Sequence, residues 1–168
     1  MVPAAGYGVR AIYVEPTGGM LVGGTGFANN QSVIYVDKIL ANGSPDANFG
    51  SNGFATVACN CGAVTLIAPT KRGGWLLAGP YEQQGVFIAK FLANGTPDTT
   101  LGGTGFSGTL FQPNTLFGTA KPALQQDGML VVAGSLPEAA SNGVANIGVM
   151  RILADYDTIF VAEFESEN

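Results

Sequence analysis

The chain contains no histidine, which removes the commonest general acid–base side chain. Without it, neither a Ser-His-Asp nor a Cys-His arrangement can form. A pair of carboxylates could still serve a glycosidase, but most acidic residues fall in predicted turns or in the C-terminal segment. We therefore expect that the protein is not an enzyme, and we predict no cofactor.

The chain has only two cysteines, Cys59 and Cys61, in the sequence Cys59-Asn60-Cys61-Gly62. A structural metal site needs about four ligands, commonly Cys and His, so no metal site is predicted. The two cysteines are too close in sequence for an ordinary loop-closing disulfide. We expect two free thiols where a strand meets a turn, with a strained disulfide as the alternative.

Charged residues are scarce, at 11% of the chain, and the seven basic residues are scattered. Binding to phosphates or to an anionic membrane surface needs clustered cations, so neither nucleic acid nor a membrane surface is an expected partner. No apolar run approaches the ~20 residues of a membrane-spanning helix. The first residues lack the pattern of a signal peptide, which leaves two readings open: a cytoplasmic protein, or one whose leader has been removed.

The chain is instead rich in glycine, with 25 residues, and 46% of it is hydrophobic. Short apolar segments alternate with turn residues, which is typical of short β-strands. Self-comparison reveals three copies of one unit. Three apolar segments end in Gly24, Gly79 and Gly134, which are spaced 55 residues apart. A second motif, at residues 36–46, returns at 88–98 and again, two residues shorter, at 149–157.

Each unit has the pattern of four antiparallel strands, so the predicted fold is all-β, a single repeat domain of three four-stranded blades. The units span about residues 9–58, 64–111 and 120–164. The predicted strands are at about residues 9–15, 20–24, 33–40, 54–58, 64–68, 75–78, 86–92, 106–111, 120–125, 129–133, 147–153 and 159–164. Asn42-Gly43 and Asn94-Gly95 predict type I′ turns, in which glycine supplies a positive φ.

One basic residue recurs at an equivalent position of each unit, and an aspartate follows it after the turn. We predict an ion pair that clamps each hairpin, with a functional cation site as the less favoured reading. The three predicted pairs are Lys38 with Asp46, Lys90 with Asp98, and Arg151 with Asp157. A calcium site in these loops is not predicted, because each loop has a single carboxylate.

These motifs resemble the delta-60 repeat family of β-propeller-like proteins. The resemblance is carried by residues 126–134, by residues 38–50 with their Asn-Gly turn and Phe49-Gly50 ending, and by residues 90–102. It covers about residues 11–160 and implies propeller-type blades without defined catalytic residues. It also implies a bacterial surface or secreted protein. Unit three departs from the pattern, because it lacks the Asn-Gly turn and the Phe-Gly ending.

Two binding functions remain open. The favoured expectation is a non-enzymatic module that binds or scaffolds protein. The alternative is a carbohydrate-binding lectin, because exposed aromatic rings in loops can stack on sugars; the candidate residues are Phe27, Tyr81 and Tyr156.

The number of units predicts an assembly. Closed propellers have about four to eight blades, whereas this sequence supplies three. We expect a homodimer that completes a six-bladed ring, with a trimer or a segment of a longer chain as alternatives.

Overall fold

The fold is all-β and antiparallel, as the sequence predicts. The computed structural model describes residues 8–28, 30–59, 61–81, 85–110, 122–136 and 146–153. The strands, in chain order, are β1 (Gly8–Val14), β2 (Met20–Ala28), β3 (Gln31–Ile39), β4 (Phe54–Ala58), β5 (Leu66–Pro69), β6 (Trp75–Tyr81), β7 (Gly85–Phe91), β8 (Phe106–Leu110), β9 (Ala123–Leu124), β10 (Met129–Leu136) and β11 (Asn146–Leu153).

The strands form three separate sheets, one for each repeat unit. The first sheet has the order β1-β2-β3-β4 and the second β5-β6-β7-β8, so each strand pairs with its neighbour in sequence. The third sheet contains β9, β10 and β11, with β10 in the middle. The fourth strand predicted for this unit, at residues 159–164, lies outside the described residues.

Five tight turns share one geometry, which differs from the predicted type I′ turn. In each, the first residue's carbonyl accepts a hydrogen bond from a glycine three positions later. The glycines are Gly18, Gly43, Gly73, Gly95 and Gly128, all with φ between 80° and 87°. A type I′ turn would also need a positive φ at the preceding residue, and neither Asn42 nor Asn94 has one. The observed turn is the three-residue hairpin loop, so the prediction was right for glycine and wrong for the turn type.

In the first two units, the repeated glycine of the second strand lies beside an aromatic ring of the third strand. Gly24 pairs with Tyr35 and Gly79 pairs with Phe87 across neighbouring strands. A Cβ at Gly24 would lie 3.0 Å from the Tyr35 ring, and one at Gly79 would lie 2.9 Å from the Phe87 ring. The glycine therefore lets the ring lie flat on the neighbouring strand, where it is fully buried.

Each sheet has two faces, and the sheets stack face to face in chain order. We call the face of a sheet that carries Trp75 or its equivalents, Met20 and Leu130, the front face. The opposite face, which carries Lys38 or its equivalents, Lys90 and Arg151, is the back face. The strand registers place these residues on opposite faces, because Lys90 pairs with Leu76 while Trp75 pairs with Phe91.

Two buried interfaces join the three sheets. In the first, the back face of the first sheet packs against the front face of the second, with Leu21, Ile34 and Val36 meeting Trp75 and Leu77. In the second, Leu76, Ala78 and Ile88 on the back face of the second sheet meet Leu130 and Val132 on the front face of the third. The second sheet is therefore covered on both sides, and its strand β7 is buried along its whole length.

Candidate functional site

At the two ends of this stack, one face of the first sheet and one face of the third sheet expose apolar side chains among the described residues. The front face of the first sheet exposes Ile12 (61%) and Val14 (64%). The back face of the third sheet exposes Val149 (51%), together with Ala133 and Arg151. Contiguous exposed apolar residues mark sites of interaction with other macromolecules more often than isolated ones do.

The front face of the first sheet also carries a buried tyrosine. Tyr35 is 1% exposed and stacks on Phe54, with ring centroids 5.7 Å apart. Its burial raises the pKa of the Tyr35 hydroxyl, and the nearby Asp37 carboxylate raises it further. The hydroxyl therefore remains protonated at neutral pH.

Asp37 lies on the same face, in register with Val22 and Phe54. Burial beside these apolar side chains raises the pKa of its carboxyl group, because it disfavours the charged form. An acid whose pKa is higher in the folded state stabilises the fold below its unfolded pKa, and this contribution is lost as the pH rises through the folded pKa.

We therefore expect the substitution Asp37→Asn to raise the free energy of unfolding at pH 7, where the wild-type carboxylate carries its charge. The gain should disappear at about pH 3, below the ordinary pKa of aspartate. Urea-induced unfolding of both proteins at the two pH values would measure the difference. A variant that is less stable than the wild type at pH 7 would contradict this account.

The structure brings two of the three predicted ligand-binding aromatics close to a common neighbour, Phe106. Phe27, at the end of β2, is 64% exposed and lines an open cavity of 520 Å³ together with Phe106, Gln31 and Ser32. Tyr81 lies 6.0 Å from Phe106, measured between ring centroids. The third predicted aromatic, Tyr156, lies outside the described residues.

Tyr81 differs from Phe27 in its exposure. Its ring lies over Gly108, where a Cβ would come within 2.6 Å of the ring, and the side chain is only partly exposed. Tyr81 is therefore largely a packing residue, which leaves Phe27 as the aromatic that is free to stack on a ligand.

Two of the predicted ion pairs join residues that the structure places side by side. The Lys38 Nζ atom lies 3.3 Å from Asp46 Oδ2, and the Lys90 Nζ atom lies 3.8 Å from Asp98 Oδ2. The same aspartates also shape the turn, because Asp46 Oδ1 accepts a hydrogen bond from the Asn48 amide at 3.0 Å. Asp98 does the same for Thr100.

The ammonium group of Lys38 makes a contact that the sequence pattern does not predict. It lies 5.8 Å from the centroid of the Trp75 ring in the second sheet and 6.0 Å from the Phe49 ring. A cation over an aromatic face is worth about 0.5–2 kcal/mol, depending on how far it is desolvated. Lys38 thus reaches across the interface between the first and second sheets as well as pairing within its own unit.

Arg151 contacts two residues that the sequence pattern does not indicate. Its Nη2 atom lies 2.7 Å from Asp127 Oδ2, and its Nε atom donates to Gln125 Oε1 at 3.0 Å. Both partners belong to the hairpin turn before β10. Asp157, the predicted partner, lies outside the described residues.

The two cysteines form a disulfide, so the prediction of two free thiols was wrong. Cys59 and Cys61 have Cα atoms 5.4 Å apart, within the usual range for a disulfide. The chain crosses here from the first sheet to the second: the Cys59 amide donates to Ser32 in β3, and the Gly62 amide donates to Pro80 in β6. Sequence spacing did not reveal this crossing, which brings the two cysteines together.

We expect the double substitution Cys59→Ser and Cys61→Ser to leave the fold intact and to lower the free energy of unfolding by about 1–2 kcal/mol, because the closed loop is very short. A reductant should lower the stability of the wild type by a similar amount and should leave the double variant unchanged. Urea-induced unfolding with and without reductant provides the measurement. A wild type that is insensitive to the reductant would contradict the disulfide.

Among the described residues, no group of three or more Cys, Asp or Glu side chains could hold a metal ion. The part of the chain that the structure describes also contains no helix that is long and apolar enough to cross a membrane.

Comparison with known protein families gives a match to one part of the chain. The model of a β-propeller domain of unknown function (DUF5122) matches residues 15–49, which run from the first hairpin turn to the Phe49 turn of the first unit. No match was found among the curated proteins or among the solved structures. The matched segment and the three antiparallel sheets together make this chain similar to β-propeller-like repeat proteins.

Proposed function

We propose that this protein is a non-enzymatic, propeller-type module that binds protein through the open faces of its first and third sheets. The observation that carries the proposal is the exposure of Ile12, Val14 and Val149 on those faces. Two of the equivalent positions in the second sheet are buried: Ile67 corresponds to Ile12 and is 5% exposed, and Ile88 corresponds to Val149 and is 1% exposed. Pro69, which corresponds to Val14, is exposed.

The proposal includes a finer description of the architecture. Each unit is one blade of the delta-60 type. This assignment is supported by the motif that repeats in register at residues 38–50 and 90–102. The geometry that the five tight turns share supports it as well. Both faces of the second sheet are covered by neighbouring sheets, as are both faces of a blade inside a propeller.

A photoreactive benzophenone side chain at Val14 tests the binding surface. We expect a covalent adduct with a polypeptide when the full chain is irradiated in the cells that produce it. The same side chain at Asn48, which is also exposed but lies in a polar turn, is the matched control and should give no adduct. An absence of adduct from position 14, or equal yields from both positions, would overturn the proposal.

The cavity beside Phe27 favours a second candidate, a carbohydrate-binding lectin. An exposed ring next to hydrogen-bonding side chains such as Gln31 and Ser32 is the combination that sugars use. A glycan array distinguishes the candidates. Saturable binding of a sugar by the wild type that is lost in the Phe27→Ala variant, and retained in a variant of Val14, would place the lectin first. The Tyr81→Ala variant is less informative, because Tyr81 also packs on Gly108.

A further inference from the structure

The two buried interfaces between sheets use equivalent positions, and this equivalence extends to the open faces. In the first interface Gly23, on a back face, lies against Ile67 and Leu77 on a front face: a Cβ at Gly23 would be 2.8 Å from Ile67 Cδ1 and 3.2 Å from Leu77 Cδ2. In the second interface the equivalent of Gly23 is Ala78, which is fully buried. A small residue on the back face therefore meets large residues on the front face.

The small residue and the large residues of this arrangement are also present on the open faces at the two ends of the stack, where they do not contact each other. The registers make Ala133 the third equivalent of Gly23, and Ala133 is exposed on the back face of the third sheet. They make Ile12 and Val22 the equivalents of Ile67 and Leu77, and these lie on the open front face of the first sheet. One end thus carries the small residue, and the other end carries the large residues that would cover it.

We infer that the occupant of each open face is a second copy of this chain, with the back face of the third sheet of one copy packed on the front face of the first sheet of the other. This inference rests on the proposed protein-binding function and names its partner. Repeated about a two-fold axis, the contact occurs twice and covers all four open faces. Six sheets result, which falls within the range of about four to eight blades in closed propellers.

The position of the recurring basic residue fits the same pairing. The described part of the open front face carries one charged side chain, Asp37, whose carboxyl is held among apolar residues. The open back face carries Arg151, at the position where Lys38 reaches over the ring of Trp75. Arg151 of one copy would therefore lie over Met20, the equivalent of Trp75, on the face that carries Asp37. Arg151 also pairs with Asp127 of its own sheet, so the contact would rest on the guanidinium group lying over the Met20 side chain rather than on a difference in net charge between the two faces.

The two Asn-Gly turns differ in whether they contact a preceding unit. Between the first two units, the Gly50 amide donates to the Asn94 carbonyl at 2.7 Å, and Gly95 lies against the ring of Phe49. The equivalent turn of the first unit, Asn42-Gly43, has open space around Gly43. Among the backbone hydrogen bonds of the described residues, none is accepted by the Asn42 carbonyl. Among the described residues, the Asn42-Gly43 turn therefore lacks the contact that the Asn94-Gly95 turn makes with the preceding unit.

A pair of engineered cysteines tests the contact directly. In the double variant Ile12→Cys and Ala133→Cys, the new thiols replace two exposed side chains and should not disturb the core. Within one chain, the second sheet separates the two positions. In the inferred dimer they face each other as Gly23 and Ile67 do. We expect mild oxidation of the purified full chain to give a covalent dimer, with peptides containing residues 12 and 133 joined.

Each single-cysteine variant is the matched control and should give no covalent dimer, because neither position faces its own copy. Absence of the cross-link in the double variant, or a ladder of ever larger species, would overturn the inference. The two proposals can fail separately: an adduct between the benzophenone at position 14 and a different polypeptide, with no cross-link between positions 12 and 133, would support the binding surface and reject the second copy.

Discussion

Replacement of Phe87 by alanine is expected to lower the free energy of unfolding by about 3–5 kcal/mol. Phe87 is fully buried on the front face of the second sheet, where its ring lies over Gly79 and stacks on Phe106 at 6.1 Å between centroids. The flat glycine surface offers no side chain that could move into the space left by the ring. The loss is a large part of the ~5–15 kcal/mol that stabilises a typical domain.

The matched control is Phe27→Ala, which removes the same side chain from an exposed position. It should change the free energy of unfolding by no more than about 0.5 kcal/mol. Urea-induced unfolding, followed by far-ultraviolet circular dichroism, provides both values. Similar losses in the two variants would mean that the packing between the first and second sheets is not as described.

The second large effect is expected in a turn of the second unit that contacts the first unit. Gly95 has a φ of 81°, and a Cβ there would lie 2.7 Å from the Gly50 nitrogen and 3.0 Å from the ring of Phe49. Gly43 has nearly the same backbone conformation, with a φ of 84°, but no atom lies within 4 Å of the corresponding Cβ position. The two glycines therefore share the backbone requirement and differ in their surroundings.

We expect Gly43→Val to cost about 1–2 kcal/mol, because a β-branched residue is strained at positive φ. Gly95→Val should cost about 1–3 kcal/mol more, because the added side chain also displaces the buried Phe49 ring. The difference between the two midpoints of urea-induced unfolding isolates the contact between units. Equal losses in the two variants would contradict that contact.

The sequence predicted the fold well, because the features that determine it are local and repeated. Alternating apolar residues specify strands, and the glycines at the turns specify where those strands reverse. The first and second sheets have the four strands expected of each unit, in the expected order. Phe27 was recognised as an exposed aromatic because it lies near the end of a predicted strand.

Features that depend on how two segments approach were not predictable in the same way. The disulfide between Cys59 and Cys61 forms where the chain crosses between sheets, and the sequence gives no measure of that crossing. The partner of Arg151 lies 24 residues earlier, in a hairpin turn that packs beside β11 only in the folded sheet. The degree to which Tyr81 is covered depends on Gly108 in another strand. Each of these contacts is set by tertiary structure rather than by a local pattern.

The molar mass of the full chain in solution tests the central claim, that the two open faces are halves of one interface, most directly. Light scattering on a sized peak should give twice the 17.2 kDa of one chain. The double variant Ile12→Asp and Val14→Asp, which places charges on the open front face, should give the mass of a single chain while retaining its circular dichroism spectrum. A wild-type protein that keeps the mass of one chain across about a hundredfold range of concentration would contradict the claim.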